Sequence, residues 1–227
     1  MDTGINTKSV TGVKSMKYQV PFYANTRDDT HCVQAVFRMT LKHFLPKKNF
    51  SWKKLDLISK KEKDLGTWLV PALIWFAKNR FDLMNVERFD YRKFYNDGAS
   101  YVRKSFSEQA AKWYLEKSNL RDIRRYIPEF LRRIKTQSRY ARIGELQQLL
   151  DKGYLVASDV NSAVLNNRKG YDSHLVLVIG YGKDYFILHD PGLPPRENRR
   201  VTSKLFQKAW SKKYGSGPNL TALRLKK

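Results

Sequence analysis

The chain has 227 residues, enough for one sizeable core and short of two ordinary domains. Hydrophobic residues make up 41% and aromatics 13%, which excludes a disordered chain, and no apolar run approaches the roughly 20 residues a membrane helix needs. Lys and Arg number 44 against 21 Asp and Glu, a formal net charge of +23 that predicts attraction to polyanions, while a single cysteine excludes an internal disulfide.

Residues 1–17 are polar and lack the apolar segment of a signal peptide, so they are expected to be a flexible lead-in to one domain over 18–227. With the lone cysteine, this points to a reducing, cytoplasmic setting. Residues 20–23 suit a short strand or extended entry, and 25–30 a polar turn. From His31 onward, Val33, Val36, Phe37, Thr40, Leu41 and Phe44 recur at three and four residues, which predicts a helix capped by Asp29 or Thr30 and ended by Leu45-Pro46. A charged helix over 52–63 is broken by Gly66. An apolar helix over 68–78 tolerates Pro71 near its start.

A strand is expected over 81–89, then two or three amphipathic helices over about 90–138, with Pro128 near the start of the last. A short helix over 143–150 stops at Gly153. The periodicity then changes to strands at 154–157, 175–179 and 185–188, the last two joined in a hairpin about Gly182-Lys183. A helix over 203–210 and a strand over 220–225 finish the chain. Helices first and antiparallel strands second is an α+β order.

Cys32 falls in the first turn of its helix, where free backbone N–H groups and the helix dipole favour the thiolate, the reactive form of cysteine. His174 stands just before one hairpin strand and Asp190 just after the other. A three-residue loop of Tyr181, Gly182 and Lys183 places position 174 directly opposite 190 and a two-residue loop shifts this by one, so either way the carboxylate can accept the imidazole Nδ1–H and fix its tautomer. A buried structural cysteine and a structural His–Asp pair are the plainer alternatives. Among the other histidines, His31 points about 100° around the helix from Cys32, His43 lies several turns along it, and His189 faces the opposite side of its strand from Asp190. No pair of these residues has metal-ligand spacing, so neither a metal nor a cofactor is expected.

The segments VPFYANTRDDTHCVQAVFRMTLKHF at 20–44 and GYLVASDVNSAVLNN…SHLVLVIGYGKDYFILHDPG at 153–192 resemble the papain-like cysteine peptidases, in particular the C-thirty-nine-like group related to the peptidases that process double-glycine leaders. The resemblance implies a papain-like α+β fold, with N-terminal helices packed on a C-terminal antiparallel sheet. It also implies a triad of Cys32 as nucleophile, His174 as base and Asp190 as the residue that orients the base. The family's Gln some six residues before the nucleophile is replaced here by Thr26, next to Asn25, so these two are the candidate oxyanion donors. Val33 stands where the family has Gly. Residues from about 90 to 140 form a helical insertion relative to a minimal member.

The expected function is a thiol hydrolase or cysteine peptidase acting on a peptide or related acyl substrate. The alternatives are acyl transfer by the same triad, or a non-catalytic basic module that holds an acidic partner or nucleic acid. The sequence carries no base-reading motif. Binding to random-sequence DNA is therefore expected to weaken steeply with added salt. Salt-resistant binding, or strong sequence preference in a filter or polarisation assay, would contradict a purely electrostatic surface.

Overall fold

A computed structural model of the chain describes residues 5–7 and 15–226. The helical half begins with α1 (Cys32–Phe44), whose apolar face buries Val33, Val36, Phe37 and Leu41. Its N-cap is His31, without a side-chain cap, in place of the expected Asp29 or Thr30. On the preceding loop Asp29 takes a positive φ of 55° and accepts from Asn25 Nδ2, and Thr30 Oγ1 donates to Asp28 Oδ2. Helix α2 (Trp52–Ser59) is shorter than its charge pattern suggests. Ser51 Oγ accepts from the Lys54 amide at its start, and Lys60 adopts the left-handed conformation at its end. Helix α3 (Val70–Lys78) holds Pro71 in its first turn, where the missing N–H is not needed. Phe76 packs at a tilt on Phe37 at 5.0 Å and edge to face on Phe81 at 4.8 Å, which ties α1 and α3 to the sheet.

Among the described residues the sheet has nine strands. Two of them, β1 (Ile5–Thr7) and β2 (Met16–Tyr18), lie in the segment expected to be a flexible lead-in, the rest of which falls outside the described residues up to Val13-Lys14. The extended entry over 20–23 is not a strand. β3 (Phe81–Val86) is followed by the inserted helices α4 (Tyr91–Asp97), α5 (Ala99–Ser105), α6 (Glu108–Glu116) and α7 (Ile127–Arg133), more and shorter than the expected two or three. Gly98, with φ of 56°, breaks the first of these from the second, and Ser107 starts the third by accepting from the Ala110 amide. After β4 (Lys135–Gln137) and α8 (Ile143–Asp151) come β5 (Leu155–Asn161), the one-turn α9 (Ser162–Leu165), β6 (Ser173–Tyr181), β7 (Tyr185–Asp190), β8 (Arg196–Thr202), α10 (Ser203–Ala209) and β9 (Leu220–Leu225).

The strand order is β1-β2-β6-β5-β9-β3-β4, with β7 and β8 added beyond β6. Every pairing is antiparallel except β3 with β4. Strands β5 and β7 both pair with Leu177 and Val178, so they hold opposite edges of β6. β6 is thus central, which is why Val176 to Ile179 read as a continuous apolar run and are fully buried. The fold is α+β, as the element order implies.

Candidate active site

The hairpin of β6 and β7 turns at Lys183-Asp184, a two-residue loop closed by the Gly182 amide donating to the Tyr185 carbonyl at 2.9 Å. Its register differs from the expected one. A bulge between Val178 and Gly180 changes the pairing to Val178 with Leu188 and Leu177 with His189. Continued along the ladder, this puts Asp190 opposite Val176 and leaves His174 two positions away on the same face. The diagonal still brings the side chains together: His174 Nε2 and Asp190 Oδ1 are 2.7 Å apart, and both are buried.

Position 192 is the one that faces His174, and it is glycine. A Cβ there would stand 3.2 Å from the His174 ring and 3.2 Å from Asp190 Oδ1. The Asp-Pro-Gly sequence therefore has three separate tasks. Asp190 accepts from the imidazole, the Pro191 carbonyl accepts from the Asn25 amide at 2.8 Å, and the Gly192 amide donates to Asp190 Oδ1 at 3.1 Å.

The nitrogen that meets the carboxylate is Nε2 and not the expected Nδ1. Cys32 lines the same cavity as His174 and contributes to the charge state of the imidazole. Burial disfavours the charged ring. The hydrogen bond to Asp190, together with the influence of Cys32 and the Asp190 charge, overrides burial and holds His174 well above its ordinary value.

Asp190 has a second partner that the sequence reading missed. Arg199 Nη1 donates to Asp190 Oδ2 at 2.6 Å, and its Nη2 donates to the Leu165 carbonyl at 2.5 Å. The Arg199 side chain is only 9% exposed. Burial alone would raise the Asp190 carboxyl, but His174, Arg199 and the Gly192 amide outweigh it and hold the group far below the usual carboxylate range. Arg199 comes from β8, whose sequence RENRRVT reads as a solvated loop and gives no sign of a strand.

The shifts set a pH dependence of stability. The His174 contribution is complete below its ordinary value of 6.5 and is lost as pH rises through the raised folded value. The Asp190 contribution is complete above 3.8 and is lost as pH falls through the lowered folded value. Thermal unfolding followed against pH should show a plateau between these limits with a decline on each side. His174→Gln should lack the alkaline decline. Parallel behaviour of the two proteins above neutrality would contradict the assignment.

The two candidate oxyanion donors are placed differently from expectation. Asn25 Nδ2 donates to Asp29 Oδ1 at 2.7 Å, while its Oδ1 accepts from the Thr26 and His31 amides at 2.9 and 2.7 Å. Thr26 Oγ1 donates to Asp28 Oδ1 at 2.5 Å and helps pull that carboxyl down to about 2. Neither residue lines the cavity that Cys32 and His174 share. The physical reason is the pair of aspartates at 28 and 29, which draw the donors of this short loop onto themselves. Asn25 organises the approach to α1, and the Thr26 hydroxyl is taken up by Asp28. The remaining histidines serve the fold. His189 is fully buried between the Val20 carbonyl and the Asn198 amide, His43 meets the Gln19 carbonyl, and His31 lies between Thr26 and Asp56.

The cavity has a volume of about 390 Å³ and runs from Cys32 and His174 to the inserted helices. Gly66 marks one wall, where it exchanges backbone hydrogen bonds with Lys117 and Asn119. A Cβ on Gly66 would come within 2.8 Å of the Trp113 ring. Among the described residues, no helix is long and apolar enough to cross a membrane.

No family model and no curated protein sequence matches the chain. Among solved structures it is similar to the peptidase domain of Streptococcus ComA, a bifunctional ABC transporter involved in quorum sensing, at 18% identity and a TM-score of 0.46, over 92% of this chain and 98% of that one. It is also similar to a C-thirty-nine-like peptidase from Bacillus anthracis at 23% identity and a TM-score of 0.30, over 36% of this chain and 46% of that one.

Proposed function

We propose that the protein is a thiol hydrolase of the cysteine-peptidase type, cleaving an amide or related acyl bond with Cys32, His174 and Asp190. The observation that carries this reading is the buried His174–Asp190 pair at 2.7 Å, with its imidazole facing the same cavity as the only cysteine. In this mechanism Asp190 holds His174 through Nε2 and keeps it charged, so that Nδ1 passes a proton between Cys32 Sγ and the leaving group. Cys32 Sγ attacks the carbonyl carbon, the leaving amine departs with the proton from His174, and water then releases the acyl group. In this mechanism the free first-turn amides of α1, including that of Cys32, serve as the oxyanion donors. Asn25 acts through the loop that positions them, and its amide carries one hydrogen beyond the bond to Asp29.

The test is turnover. A mixed peptide library and a thioester reporter incubated with the protein should give products by mass spectrometry, and Cys32→Ala should give none. Equal product from both proteins would refute the proposal. Transfer of the acyl group to an added amine in preference to water would assign the same triad to acyl transfer.

A further inference from the structure

The cavity floor is a polar row on an otherwise apolar sheet face. Asn85 pairs with Thr221 across β3 and β9, and the two are joined by a 2.8 Å hydrogen bond. Thr221 pairs in turn with Ala157, two residues before Asp159 on the same face. Glu87 extends the row at one end, where its Oε1 accepts from Asn85 Nδ2 and from the Tyr91 hydroxyl, each at 2.6 Å. Asp159 extends it at the other, accepting from Ser173 at 2.7 Å, Ser216 at 2.7 Å and Tyr114 at 3.1 Å. All of these residues except Ala157 line the cavity.

Opposite the row stand Trp68, Phe89, Phe106, Trp113 and Tyr114, most of them from the loop before α3 and from the inserted helices. Trp68 lies 5.2 Å from both Phe89 and Tyr114, and its indole N–H is fixed on Ser118 at 3.0 Å. The site thus pairs carboxylates with aromatic rings, the combination that receives a desolvated cation.

Its charge balance is the second observation. The protein carries 44 Lys and Arg, yet among the described residues none makes an ion pair with Glu87 or Asp159. The hydrogen bonds of Glu87 to Asn85 and Tyr91 both use Oε1. Burial pushes both carboxyls up, and Asp159 pushes Glu87 further. Arg88 and Lys117 line the same cavity without pairing with either carboxyl, and the charged His174 acts on Asp159 only through space, so both carboxyls lack a directly bonded cation.

We propose that this cavity binds the ammonium or guanidinium end of a substrate Lys or Arg side chain, with the scissile carbonyl held at Cys32. The assignment rests on the thiol-hydrolase reading for the position of the carbonyl, and on the cavity alone for the cation. The apolar stem of such a side chain passes the aromatic wall, and its charged end lies over the polar row in the field of both Glu87 and Asp159. The helical insertion then has a role, because it supplies the wall that makes the pocket deep.

The experiment is calorimetric titration of the intact protein with N-acetyl-arginine methylamide, with its neutral isostere N-acetyl-citrulline methylamide, and with agmatine. The arginine amide should bind about tenfold or more tightly than the citrulline amide. Glu87→Gln and Asp159→Asn should each shrink that ratio, with folding checked by circular dichroism. Equal binding of the two amides to the unmodified protein, or binding of neither, would overturn the proposal without recourse to any variant. Agmatine binding as tightly as the arginine amide would overturn the assignment to a peptide side chain in favour of a free amine. The readout needs no reaction at Cys32, so an unreactive cysteine with a retained arginine preference would sink the hydrolase reading and leave the pocket standing.

Discussion

Asp190→Asn should lower the rate of any Cys32-dependent reaction by up to about 10⁴-fold. The argument lies in the two faces of the carboxylate. Oδ1 accepts from His174 and Oδ2 accepts from Arg199, so both oxygens are used as acceptors. An amide has one acceptor and one donor end. With its oxygen toward Arg199, its NH₂ meets Nε2 and forces the wrong imidazole tautomer. With its oxygen toward His174, its NH₂ meets the guanidinium, donor against donor. Removing Arg199 as well relieves that conflict, so Asp190→Asn combined with Arg199→Met should react faster than Asp190→Asn alone. Steady-state rates of the two proteins on one reporter substrate check this. Equal rates would mean that Arg199 does not constrain position 190.

Arg199→Met should be the most destabilising of the single changes, by about 3–5 kcal/mol. Its guanidinium is nearly excluded from solvent, and its removal leaves the buried Asp190 charge with one cation in place of two and the Leu165 carbonyl without its donor. Denaturant unfolding of the wild type and the variant measures the difference directly. A loss below about 1 kcal/mol, the range of exposed ion pairs, would show that the pair is open to water.

These two residues also mark the limit of what the sequence discloses. Helix α1 is legible because Val33, Val36, Phe37 and Leu41 repeat on one face, and Cys32 at its start is read from the same pattern. The pairing of His174 with Asp190 is legible because both flank apolar strands about one turn. The register is displaced by two positions: the turn at Lys183-Asp184 moves it by three and the bulge at Val178/Gly180 takes one back, and neither leaves a mark in composition. The meeting survived because a diagonal neighbour on one face lies within reach of a long ring. Arg199 was not legible. An arginine in RENRRVT is indistinguishable from a solvated one until β8 is laid beside β7. The oxyanion loop was misjudged for a related reason: which acceptor takes the Asn25 and Thr26 donors depends on how Asp28 and Asp29 fold back, and spacing does not encode that. Strand β2 was missed because Met16-Lys17-Tyr18 is short and is held by its pairing with Gly180 and Tyr181. Gly180 makes that approach possible, since a Cβ there would lie 2.4 Å from the Met16 carbonyl oxygen.

The central claim is that His174 activates Cys32. The most direct measurement is the rate of iodoacetamide alkylation at Cys32, followed by mass spectrometry from pH 5 to pH 10, for the wild type and His174→Ala. An activating imidazole predicts a rate that is already substantial at neutral pH and depends on His174, with the variant slower by about tenfold or more below pH 7 and approaching the wild type in alkali. Superimposable profiles of the two proteins would show that the histidine and the cysteine share a cavity without acting on each other, and would contradict the account.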